Sequence, residues 1–156
     1  MKDPKNLTIR KGLRSDASAI AGFNIAMAME TEGKELDRQK IESGVRGLLN
    51  NPQYGFYLVA EEPRENRVIG SLMVTYEWSD WRNGLFWWIQ SVYVISEYRR
   101  RGVYRAMYRE VKELAAGDPG ICGFRLYVEK KNDTAQKTYR TMGMRETDYR
   151  MFEEEV

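Results

Sequence analysis

Histidine is absent from the 156 residues, and cysteine occurs once, as Cys122. A zinc site built on imidazole and thiolate is therefore excluded, as are an internal disulfide framework and a cysteine nucleophile with a histidine base. No apolar run approaches the roughly 20 residues that a membrane-spanning helix needs. The start, Met1-Lys2-Asp3-Pro4-Lys5-Asn6, is polar and lacks the apolar centre of a secretory signal, so the cytoplasm is the expected compartment. A net charge of +2 is too small to indicate nucleic acid or membrane. Repeats and low-complexity linkers are missing too. What is present is 42% apolar and 31% charged residues, the composition of one globular domain over 1–156.

Residues 7–11 alternate like a short strand, and Ser15 or Asp16 can cap a helix running through Ala17, Ile20, Phe23, Ile25 and Met27. Residues 30–34 read as a polar connection. Asp37 caps a second amphipathic run with Ile41, Val45, Leu48 and Leu49 on one face, and Asn50-Asn51-Pro52 stops it. Three strand-like runs follow at 54–61, 68–78 and 85–94, joined by turn-rich pieces. The third is apolar at nearly every position, which predicts a central strand covered on both faces. A helix after Gly102 ends at Gly117-Asp118-Pro119-Gly120. Residues 124–128 then read as a strand, 134–141 as a short helix and 145–152 as a last strand.

Five basic residues crowd into one stretch, as Arg99, Arg100, Arg101, Arg105 and Arg109. A buried strand, a glycine-containing turn and a helix in succession present backbone N–H groups at a helix N-terminus, where the dipole also favours negative charge. Such a place suits a diphosphate. Gly102 would let the backbone approach a ligand or adopt positive φ, and the arginines add charge-assisted contacts. The same residues are equally consistent with a solvated basic helix start, since charge runs usually face water.

The stretch 94–107, with Arg99 and Gly102 followed by Val103, Tyr104 and Arg105, resembles the acetyl-CoA signature of the GNAT superfamily of N-acetyltransferases. That signature reads Arg or Gln, two residues, Gly, one residue, then Gly or Ala; Tyr104 departs from it at the last position. Downstream, Asn132 to Ala135, Tyr139 and Gly143-Met144 are similar to the family's Asn-x-x-Ala, helical Tyr and Gly-Met ending. The resemblance implies an α/β (α+β) fold: a mixed, mostly antiparallel sheet of six or seven strands, flanked by about four helices and splayed between strands four and five. It also implies that Val92, Tyr93 and Val94 lie along the pantetheine arm of acetyl-CoA, the cosubstrate, with Asn132 also at the cofactor. The amides of residues 100–105 then hold the pyrophosphate, and no metal is required.

In that reading a small-molecule amine attacks the thioester directly, and Tyr139 protonates the departing thiolate. Tyr139 is also consistent with a packing role for its ring. The base is less defined, because residues 85–94 hold no carboxylate, only Gln90. Glu77, Glu30 and Glu32 are the candidates. Carboxylates beside aromatic rings, Glu32 and Trp78 among them, suit a cationic acceptor. Two other readings stand beside this one. The first is a CoA-binding sensor or structural subunit without turnover, and the second an RNA-binding domain using the arginines, which the small net charge disfavours. A homodimer is compatible with an open sheet edge. Neither nucleic acid nor a membrane is an expected partner.

Overall fold

The alternating run at the start forms β1 (Thr8–Lys11), and the two helical patterns after it form α1 (Ala17–Glu32) and α2 (Arg38–Asn50). Then come β2 (Gly55–Glu62), β3 (Arg67–Ser79), β4 (Gly84–Val94), α3 (Val103–Ala116) and β5 (Ile121–Arg125). These belong to the first of two compact units, which ends at Leu126; the second, Tyr127–Val156, holds α4 (Asp133–Thr141). The structure, a computed structural model, describes residues 6–156, so the first five residues of the polar start lie outside it.

The strands follow one another in space as they do in sequence, β1-β2-β3-β4-β5. The first three pairings are antiparallel and β4–β5 is parallel. A parallel neighbour requires a crossover, and α3 supplies it. The α/β class, the mixed and mostly antiparallel sheet and the four helices are as expected. The strand count differs, since the sheet of the described residues has five strands where six or seven were expected. Residues 145–152 form no strand, and Tyr149, Met151 and Phe152 are 80%, 60% and 91% exposed. Charged residues interrupt that run, and without a ladder partner its backbone groups gain nothing from extension. β5 starts earlier than the sequence suggested and stops at Arg125. Its ladder opens where the Leu85 N–H reaches Gly120 O and Leu85 pairs with Ile121.

Local capping chemistry accounts for the start of α2. Asp37 accepts the N–H groups of Gln39 and Lys40 at the head of α2, as expected. Asp16 precedes α1 but gives it no side-chain cap. Its carboxylate instead takes two bonds from Arg10, at 2.8 and 3.1 Å, and the Leu13 N–H at 2.6 Å, while Arg10 Nε reaches Glu61. α1 also runs further than its apolar spacing indicated, so Glu30 and Glu32 are helical and not part of a connection. It ends at Gly33, with a left-handed φ of 62° and N–H bonds from Gly33 and Lys34 back to Met29 and Ala28.

Burial would raise the Asp16 carboxyl, but the Arg10 and Leu13 hydrogen bonds outweigh it and hold the group below its ordinary value. A depressed carboxyl stabilises the fold above its unfolded value, about pH 3.9, and that contribution is lost as pH falls through the folded value. Asp16→Asn should cost about 2 kcal/mol at pH 7, because Arg10 keeps Glu61 as a partner. Urea midpoints should show that difference narrowing below about pH 4.

Directly paired residues on neighbouring strands share a face. On one face Tyr57 and Val59 pack with Ala17, Ile20 and Ala21 of α1 and with Val45 and Leu48 of α2. Leu58, Leu72 and Val74 point the other way and are fully buried. α3, whose Val103, Met107 and Val111 are buried, contacts β1, β2 and β4. The first half of β4 is accordingly covered on both faces, whereas residues 90–94 are only partly buried.

Candidate functional site

β4 carries one extra residue. Ser71 stands opposite Tyr93 and Met73 opposite Gln90, so two steps on β3 match three on β4. The extra residue is taken up at Ser91, whose φ is 51°. Gly70 is required beside it, because a Cβ there would sit 2.8 Å from the Tyr93 carbonyl oxygen. Beyond the bulge the Ile95 N–H donates to Ile69 O at 3.0 Å. Strand alternation therefore turns the main chain of Tyr93 toward β3 and that of Val92 and Val94 toward the opposite edge. The β4–β5 ladder ends on that edge at Trp88 and Arg125, and no strand covers residues 89–94 there among the described residues. The expected splay between the two strands is thus present, and the uncovered edge can accept a peptide-like ligand.

The same strand runs into the basic turn. After a single 3-10 turn, Ser96–Tyr98, Arg99 is extended, Arg100 has φ 61° and Gly102 has φ 78°. Left-handed residues alternating with others gather successive N–H groups into an anion-binding concavity. The first bond of α3 runs from the Ala106 N–H to Gly102 O, so the amides of Val103, Tyr104 and Arg105 lie outside the helix's own ladder. A Cβ at Gly102 would meet nothing within 4 Å, so the glycine serves the backbone angle and not a close contact. Tyr104, the departure from the signature, stacks its ring on Tyr108 with centroids 6.2 Å apart, along α3. Its bulk is carried down the helix.

Arg99 and Arg101 have specific side-chain partners. Arg99 donates from Nε to Val94 O at 2.7 Å and from Nη2 to Glu30 Oε2 at 2.7 Å. Its guanidinium also lies 5.1 Å from the centre of the Tyr93 ring. Tyr93 donates its hydroxyl to Glu30 Oε1 at 2.8 Å and stacks on Phe23 of α1. Glu30 and Arg99, read from sequence as a base and a phosphate-loop residue, are therefore one ion pair. Hydrogen bonds from Tyr93 and Arg99 hold the Glu30 carboxyl below its ordinary value, and burial followed by the Glu30 contact raises the Tyr93 hydroxyl. Arg101 lies over the Tyr98 ring at 5.6 Å.

On the face that α1 and α2 cover at its other end, the register sets Glu77 opposite Phe86, Thr75 opposite Trp88 and Met73 opposite Gln90. Arg125 joins them through its pairing with Trp88. Arg125 donates to Glu77 and lies 3.7 Å from the Phe86 ring centre, while Gln90 Nε2 donates to Thr75 Oγ1 at 2.6 Å. Trp78 points to the other face, 61% exposed, and Glu32 is an exposed residue at the end of α1. The structure does not bring Glu77 and Trp78 together, since neighbours on a strand face opposite ways. Sequence reasoning missed Arg125, and also Asn24 and Ser71. Asn24 Oδ1 and Ser71 Oγ are buried without a hydrogen-bond partner among the described residues. The signal for Asn24 was available as a polar break in the apolar run of α1.

In the second unit Asn132 accepts the Ala135 N–H at 3.1 Å, so the oxygen expected at the cofactor caps α4. Tyr139 lies within α4 and is half-buried; burial raises its hydroxyl above the ordinary tyrosine value. Gly143, at φ 92°, ends the helix as expected, with the Met144 N–H returning to Tyr139 O.

A strand edge left open by its parallel neighbour and leading into a nest of amides is the arrangement that the resemblance to the acetyl-CoA-dependent N-acetyltransferases implies. The chain belongs to the Acetyltransferase (GNAT) family, whose profile matches residues 21–144. It is 47% identical to a possible acetyltransferase from Clostridium difficile 630, with a TM-score of 0.88 over 96% of this chain and 97% of that one. A predicted acetyltransferase from Clostridium acetobutylicum, solved with acetyl-CoA, shares the fold at 18% identity, with a TM-score of 0.76 over 95% and 96% of the two chains. Thialysine N-epsilon-acetyltransferase of Sus scrofa is 32% identical over 106 residues, 64% of this chain, and the match spans only 61% of that protein's length.

Proposed function

We propose that this chain transfers the acetyl group of acetyl-CoA to the primary amine of a small molecule, by direct attack in a ternary complex. The observation that carries the reading is the uncovered edge of β4 running into the amide-rich turn at 99–105. Val92 offers its main-chain N–H and carbonyl, and Val94 its N–H, to the pantetheine arm, and the amides of the turn receive the diphosphate. A β4 amide polarises the thioester carbonyl as negative charge develops on its oxygen. The amine nitrogen bonds to the carbonyl carbon, the carbon–sulfur bond breaks, the Tyr139 hydroxyl protonates the sulfur, and the proton that the nitrogen sheds on becoming an amide returns through water to Tyr139. Burial keeps that hydroxyl protonated well above neutral pH.

An alkyl ammonium must first lose a proton, and Glu77, acting through water, is the carboxylate assigned to receive it. Tyr93 and Arg99 stabilise the charged form of Glu30, which weakens it as a base. Glu77 and Arg125 place both charge signs beside Phe86 and Trp88. That combination suits an acceptor bearing a carboxylate as well as its amine. The Sus scrofa relative acts by its name on thialysine, an amino acid of that kind. A single-domain cytoplasmic enzyme, able to form a homodimer and using neither metal, nucleic acid nor membrane, completes the reading.

Calorimetry with acetyl-CoA, followed by thiol release with thialysine, lysine, polyamines, aminoglycosides and peptide N-termini, tests it. Saturable release is expected with an amino acid amine, and Glu77→Gln should lower kcat/KM about a hundredfold. Binding without release for any acceptor would support a non-catalytic CoA-binding subunit, and absence of binding would reject the reading.

A further inference from the structure

The last turn of α1 and the turn that precedes α3 are held together by one cluster. Glu30 uses both carboxylate oxygens, taking the Tyr93 hydroxyl at 2.8 Å and Arg99 Nη2 at 2.7 Å. Arg99 uses a second nitrogen on Val94 O at 2.7 Å, and Tyr93 packs between this pair and Phe23 of α1. Three segments thus meet at the guanidinium: the end of α1, the end of β4 and the turn itself. Arg99 is also the residue from which the left-handed positions Arg100 and Gly102 follow. Its φ of −66° and ψ of 156° direct the chain into them.

We infer that Glu30 is a positioning residue that sets the acetyl-CoA turn through Arg99 and so couples the end of α1 to occupancy of that turn. A base with both oxygens committed to donors, one of them a guanidinium, is poorly placed to take a proton from an amine. The same commitment suits a fixed anchor. Anchoring Arg99 at three points limits the backbone freedom of the residues after it, whose amides must converge before a diphosphate can use them. Binding that orders the turn then also tightens the end of α1, and the linkage is reciprocal. α1 leads, through Gly33, into the segment before α2. The Glu30–Arg99 pair is therefore the physical connection between that segment and the donor turn.

The inference rests on the acetyl-CoA reading above, and its test separates the two. Calorimetry with CoA on the intact chain should show the Kd rising roughly three- to tenfold in Glu30→Gln and less in Tyr93→Phe, which removes one bond and no charge. Glu30→Gln and Arg99→Gln should be non-additive in a double-mutant cycle, because each removes the same contact. Hydrogen exchange gives the readout that a merely structural role would not move. In the wild type, CoA should slow exchange in residues 28–34, and in Glu30→Gln that slowing should disappear although CoA still binds at saturation. The pH–rate profile of Glu30→Gln should keep its acid limb. Loss of that limb with unchanged CoA affinity would make Glu30 the base and overturn the inference. Equal slowing in both proteins, or additive energies, would overturn it as well. Failure of the wild type to bind CoA would reject the acetyl-CoA reading itself, and the inference with it.

Discussion

Tyr139→Phe should lower kcat about a hundredfold while the Kd for acetyl-CoA stays within about twofold of wild type. The substitution removes one hydroxyl and leaves the ring, so the aromatic packing of α4 is kept while proton donation is lost. Burial raises the Tyr139 hydroxyl above the ordinary tyrosine value, so the wild-type rate should hold through neutral pH and decline only above about pH 10. The variant should lack that alkaline decline. Single-turnover measurements with saturating acetyl-CoA and amine, set beside equilibrium CoA binding, check both halves. Equal turnover would reduce Tyr139 to an anchor of its helix.

Gly55→Ala should destabilise the fold by at least about 3 kcal/mol, or prevent folding. Gly55 opens β2 opposite Thr75 with φ 152°, an angle that L side chains rarely adopt. A Cβ there would stand 1.9 Å from Val74 O and 3.0 Å from its carbonyl carbon, and both atoms are main chain in the β2–β3 ladder. No rotamer change relieves such a contact; the two strands must separate. Their separation would loosen Tyr57 and Val59, which anchor the α1–α2 side of the core. Gly22→Ala is the matched control, since a Cβ at Gly22 in α1 meets nothing within 4 Å. It should be neutral or stabilising by up to about 1 kcal/mol. Urea unfolding of the two variants beside wild type reads the contrast.

Most of the elements were legible because their signals are local. The apolar alternation of β2, β3 and β4, the cap at Asp37 and the stop at Gly143 all depend on residues a few positions apart. The end of α1 was misread because Glu30, Thr31 and Glu32 are polar yet remain good helix residues; only the left-handed Gly33 terminates them. The strand expected at 145–152 was misread for the opposite reason. Its spacing permits extension, but a strand exists only with a partner, and the described residues supply none.

The carboxylates show the same division. Glu30 and Glu77 could be listed from sequence as bases because any carboxylate near an acceptor site qualifies by type. Their partners lie 69 and 48 residues away, at Arg99 and Arg125, and proximity of that kind has no periodic signature. The bulge at Ser91 is equally hidden, since it arises from a mismatch in step between two strands and not from a glycine.

The sequence by itself determined the local elements of the basic turn: a buried strand, a turn with Gly102 at its positive φ, and a helix whose first amides lie outside its own ladder. Those features follow from backbone chemistry over about a dozen consecutive residues. Only the tertiary structure decided where β5 leaves β4, which main-chain groups of Val92 and Val94 face the opening, and that Glu30 holds Arg99. Each of these depends on register between distant strands or on contact across the fold, and the chain acquires them only when its sheet closes against its helices.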